Sequence, residues 1–89
     1  MNRDQLKAEL SDILEQSVGQ EFPNLSETAT LINDLKLDSV DLLSMTIEIQ
    51  SRYGIVIDAT EVANVSTVGD VLTLITNKID AAAAKKKAA

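Results

Sequence analysis

Apolar residues recur at helical spacing in three separate stretches of this 89-residue chain, and that most constrains its fold. Leu6, Leu10, Ile13, Leu14 and Val18 make the first stripe, with Lys7, Glu9, Asp12 and Glu15 between them. Leu42, Met45, Ile49 and Tyr53 make the second, flanked by Leu43. Val68, Val71, Leu72, Ile75 and Ile79 make the third. The single strand-like run, Ile55-Val56-Ile57, has no second run to pair with and reads as an extended connection burying Ile55 and Ile57. The expectation is an all-α four-helix bundle of three longer helices and one short one.

Local signals set the boundaries. Asn2 caps the first helix, with Gln5 three residues on, and Gly19 stops it. Residues 19–37 form a long connection broken by Phe22-Pro23 and pinned by Leu25, Leu31, Ile32, Leu35 and Leu37. Asp38 caps the second helix, Asp41 adds a carboxylate to its first turn, and Gly54 ends it. Asp58 with Glu61 opens the short helix, which turns Val62 and Val65 inward; Thr67 with Asp70 opens the last. Residues 1–80 form one domain, and 81–89 are an Ala/Lys-rich tail expected to be frayed or disordered.

Composition narrows the chemistry. The chain has neither cysteine nor histidine, which removes thiol and Ser-His nucleophiles and the usual zinc sites. No metal site is expected: a calcium loop from Asp34 would place Lys36 and Val40 at ligand positions and Met45 at the twelfth. Residues 1–80 hold all 14 acids but only five of the eight bases, a net of −9. Such a domain is repelled by nucleic acid and anionic membranes and attracts proteins with basic patches. With no membrane span and no signal-peptide core, it is expected to be cytoplasmic and monomeric. An enzyme of its own is not expected.

Ser39 stands out. Alone, a serine after an aspartate at a helix start is an ordinary cap. Here Leu35-Lys36-Leu37-Asp38-Ser39-Val40-Asp41 opens an amphipathic helix closed by Tyr53-Gly54-Ile55, and Thr67-Val68-Gly69-Asp70-Val71 opens the last. Together these resemble the acyl carrier proteins, over about Leu6 to Ile79.

The resemblance implies that Ser39 receives 4′-phosphopantetheine from coenzyme A through a phosphopantetheinyl transferase, with Asp38 assisting. Cargo then rides as a thioester, presented to acyl-loading and synthase or transferase enzymes of fatty-acid, lipid or polyketide-type biosynthesis. The docking residues it implies are Val40, Asp41, Ser44, Ile47, Glu48 and Ser51, joined by Val62. The acyl cleft it implies is made by Met45, Ile49, Ile57, Val62, Val65, Val71 and Ile75. Ser44, Ser51 and Ala63 stand where fatty-acid carriers have acids, and Lys36-Leu37 replaces the common Gly-Ala, which favours a specialised pathway. An aminoacyl or peptidyl carrier and an unmodified acidic adaptor bundle are the alternatives.

Overall fold

The computed structural model describes residues 2–22 and 25–88, with side chains through residue 82. It consists of α1 (Arg3–Val18), α2 (Ser39–Tyr53), α3 (Ala59–Ala63) and α4 (Val68–Ala88). The helix α4 continues through the alanine-lysine stretch, and the side chains of Lys85, Lys86 and Lys87 lie outside the described residues. No strand forms among the described residues; one isolated bridge joins Thr30 and Thr67.

The three stripes converge on one core. Leu6, Leu10, Ile13 and Leu14 of α1 meet Met45 and Ile49 of α2 and Val68, Val71, Leu72 and Ile75 of α4. Leu25, Leu31, Leu35, Leu37, Ile55 and Ile57 complete it from the connections. Ile32 is the exception: it is 53% exposed, because Leu31 and Leu35 take the inward side of that turn and the residue beside Leu31 faces out. Leu43 likewise departs from the core position expected for it and is 59% exposed. One residue on from Leu42, it is rotated about 100° around α2 and faces the gap before α3.

Caps form where the sequence places them. The Gln5 N–H donates to Asn2 Oδ1 at 2.7 Å. Reciprocal capping boxes join Asp38 with Asp41 and Asp58 with Glu61. At α4 the Asp70 N–H donates to Thr67 Oγ1 at 3.2 Å, while the Ser66 and Thr67 N–H groups donate to Asp70 Oδ2 at 2.9 and 3.2 Å. Gly54 ends α2 in the left-handed region, φ 64°, where a side chain would be strained.

The long connection is tied down from both ends. The Leu31 N–H donates to the Ser66 carbonyl at 2.9 Å and the Val68 N–H to the Ala29 carbonyl at 3.0 Å. The Gly69 N–H reaches the Glu27 carbonyl at 2.9 Å. A Cβ on Gly69 would lie 3.1 Å from that carbonyl oxygen, so the close approach suits glycine. Arg3 closes the knot, donating to Glu27 Oε1 at 2.6 Å and to the Gly69 carbonyl at 3.1 Å. At the other end of the bundle the Tyr53 hydroxyl donates to Glu9 Oε1 at 2.6 Å, and Arg52 pairs with Asp12 at 3.0 Å.

These contacts set the pH response. The Arg3 guanidinium holds Glu27 below the usual carboxylate range, backbone N–H donation from Thr30 does so for Asp34, and donation from Ser66 and Thr67 does so for Asp70. A folded-state pKa below the unfolded one gives stability that is complete above the unfolded value and lost as pH falls through the folded one. The melting temperature is therefore expected to hold from pH 7 to about 5 and to fall below about pH 4. Burial and the bond to Glu9 push Tyr53 up, so its contribution is lost only as pH rises above the ordinary tyrosine value of 10.0. The net −9 adds self-repulsion, so a salt titration at pH 7 is expected to raise the melting temperature; a flat response would show that repulsion is not limiting.

Candidate functional site: a serine at the head of an apolar groove

Ser39 is the first residue of α2 and is exposed. The cap beneath it does not depend on its hydroxyl. The Asp38 side chain accepts from the Asp41 N–H at 2.9 Å, the Asp41 carboxylate accepts from the Asp38 N–H at 3.3 Å, and the Asp38 carbonyl accepts from Leu42 at 2.9 Å. Among the described residues nothing accepts from the Ser39 and Val40 N–H groups. An exposed hydroxyl next to two unpaired amides at the positive end of a fifteen-residue helix suits a covalently held phosphate diester.

The approach to Ser39 is unusual. Lys36 is the one non-glycine residue with positive φ, 61°, among the described residues. The left-handed conformation costs an L-residue about 1–2 kcal/mol, and glycine loses about 0.5–1 in chain entropy, so Lys36→Gly is expected to stabilise the fold by about 0.5 kcal/mol. The readout is a melting temperature higher by roughly 2–4 °C.

Ser39 lines one end of a groove of about 590 Å³ between α2 and α3. Its walls are Ile32, Leu42, Leu43, Ile57, Val62 and Val65, with Thr46, Gln50, Ala59 and Ala63. Of the residues the resemblance assigns to an acyl cleft, Ile57, Val62 and Val65 line this groove. Met45, Ile49, Val71 and Ile75 do not line it and are buried in the core. The groove is also lined by Ile32, Leu42, Leu43, Thr46, Gln50, Ala59 and Ala63, which the resemblance does not assign to a cleft. A signal existed: counted from Ser39, Leu43, Thr46 and Gln50 fall at i+4, i+7 and i+11, one helical stripe running away from the serine.

The face beside the groove carries the residues assigned to docking. Val40 and Ile47 are 67% and 56% exposed. With Leu43 they make an apolar line at i, i+3 and i+7, so the exposed patch is larger than Val40 and Ile47 alone. Ser51 is exposed, Asp41, Ser44 and Glu48 are half-buried, and Val62 is half-buried across the groove. Glu48 sits 3.6 Å from Arg52. Among the described residues no group of three acids gathers as a metal site would need, and no helix is long and apolar enough to cross a membrane.

A family described as the phosphopantetheine attachment site matches residues 4–75. An acyl carrier protein from Thermotoga maritima is 30% identical over 78 residues, 88% of this chain and 96% of that protein. The meromycolate extension acyl carrier protein of Mycobacterium leprae is 27% identical over 75 residues, 84% of this chain and 65% of that one. A crystal structure of an acyl carrier protein from Thermotoga maritima superposes with a TM-score of 0.83 at 21% identity, covering 90% of this chain and 93% of that one. With a four-helix fold of that shape and a family match over most of its length, the chain belongs to the acyl carrier proteins, which hold their cargo on a covalently attached 4′-phosphopantetheine and leave bond-making to partner enzymes.

Proposed function

We propose that Ser39 is the attachment residue, that the groove between α2 and α3 shelters the acyl chain, and that the outer face of α2 docks the enzymes that load and unload it. The observation carrying this reading is that an exposed serine at a helix N-terminus also lines an apolar groove. In the transfer, the Ser39 hydroxyl oxygen attacks the pantetheine-side phosphorus of coenzyme A. A phosphodiester forms, the bond to the adenosine bisphosphate breaks, and the hydroxyl proton leaves to a base of the transferase. The Ser39 and Val40 amides then face the new phosphate. Asp38 holds the cap that aims them. Once bound, the arm supplies the thiol that this chain lacks, and acyl groups ride on it as thioesters.

The partners fit a surface of mixed character. Val40, Leu43 and Ile47 give an apolar centre; Asp41 and Glu48 give acidic points for basic patches, with Ser44, Ser51 and Val62 at the margin. Acids are sparser here than on fatty-acid carriers, since Ser44, Ser51 and Ala63 are neutral. That, with a relative named for meromycolate extension, supports lipid-type cargo in a specialised pathway. The working unit is a monomeric domain, residues 1–80, in the cytoplasm, with 81–89 as an appendage.

Intact mass after incubation with coenzyme A and a broad-specificity phosphopantetheinyl transferase tests the reading. One phosphopantetheine on the Ser39 peptide is expected. An unchanged mass would favour the unmodified adaptor. Loading by aminoacyl donors in preference to acyl-coenzymes would favour the peptidyl branch.

A further inference from the structure

The groove is apolar except along one line of α2, where Thr46 and Gln50 follow Ser39. Thr46 is spent, its hydroxyl donating to the Leu42 carbonyl at 2.7 Å. Gln50 is half spent. Its Oε1 accepts from the Ile57 N–H at 2.7 Å, which ties α2 to the connection before α3 and fixes which end of the amide is which. The Nε2 end is left with two N–H groups, and among the described residues no acceptor meets them.

We propose that Gln50 selects oxygenated cargo: its amide donates to a ketone oxygen on the acyl chain, so that keto-bearing chains are sheltered in preference to plain hydrocarbon ones. The proposal rests on the reading of the groove as the shelter for cargo. A hydrocarbon lying over Gln50 covers two donors and returns no hydrogen bond, whereas a ketone at that depth accepts one. Discrimination of this kind is strong because the penalty falls on the mismatched ligand. Gln50 lies eleven residues beyond Ser39, about 16 Å along the helix axis, a distance the arm itself can span, so the bare arm is the necessary control.

The test uses the whole protein carrying amide-linked, hydrolysis-resistant chains of equal length, one saturated and a series with a single ketone at successive carbons. The Gln50 side-chain amide signals and the methyl signals of Val62 and Ala63 are followed by NMR. A ketone at one position is expected to move the Gln50 signals and to raise the sheltered fraction roughly five- to tenfold over the saturated chain. Gln50→Glu keeps the acceptor for Ile57 and removes the donors, so it is expected to abolish that preference while leaving the helical circular dichroism intact. Should the variant fail to fold, the ketone scan on the natural chain still decides.

Equal Gln50 shifts with the bare arm, the saturated chain and every ketone would overturn the proposal, while moved Val62 and Ala63 methyls would leave the groove reading standing. If no cargo moves those methyls, the groove reading fails and takes the proposal with it.

Discussion

Ser39→Ala is expected to gain no mass from coenzyme A and transferase, and to remain folded. The separation follows from the cap. The bonds that start α2 belong to the Asp38 side chain, the Asp41 carboxylate and the Asp38 carbonyl, none of which the substitution touches. Alanine is also a good helix former at the first position. The effect on attachment is all-or-none, while the effect on stability stays within about 0.5 kcal/mol, the usual range for an exposed site. Ser44→Ala and Ser51→Ala, on the same helix, should still be modified. Modification that persists in Ser39→Ala would show that another hydroxyl carries the arm. Loss of the helical signal would show that the hydroxyl holds the cap.

Two isoleucines separated by a single residue should behave oppositely. Ile49 is 2% exposed in the core and Ile47 is 56% exposed. Ile49→Ala removes buried methyl and methylene groups and leaves a cavity, at a cost of about 2–5 kcal/mol. A domain of this size has roughly 4–12 kcal/mol in total, so the variant should melt about 8 °C or more lower or be unfolded at 37 °C. Ile47→Ala should shift stability by no more than about 0.5 kcal/mol. Its effect should appear instead as slower modification by the transferase or slower acyl loading, because it truncates the centre of the exposed line from Val40. Denaturant melts and transfer rates on both variants check this. A destabilised Ile47→Ala would mean that this face is packed rather than presented.

What could be read from the sequence was local. Asn2, Asp38, Asp58 and Thr67 act as caps within three residues of their partners, and the stripes at 3.6-residue spacing chose the buried faces. What could not be read depended on what stands opposite. Leu43 is apolar and adjoins the core stripe, yet it is exposed because short α3 stands off from α2 and leaves the groove between them. Periodicity gives a side chain's direction around its own helix but not the distance to the next element. For the same reason periodicity could not tell that Met45 and Ile49 are buried here while Thr46 and Gln50 line the groove. The knot of Arg3, Glu27 and Gly69 joins residues 24 and 66 positions apart, beyond the reach of any local rule.

α3 has only five residues, and none of them is buried. It is held by the packing of Val62 against the core, by the pair of Lys78 with Glu61 at 2.8 Å, and by the Gln50 bond to the connection before it. Moving it aside would give up the packing of Val62 but not the fully buried residues of α1, α2 and α4 at the centre of the core. Opening the groove is thus a sub-global event with its own free energy, separable from unfolding. On the reading of the groove as the shelter for cargo, the dwell time of a chain and the thermal endurance of the domain are then separable quantities. Substitutions at the exposed positions Ala59, Thr60 and Ala63 are expected to lengthen or shorten the first with little effect on the second.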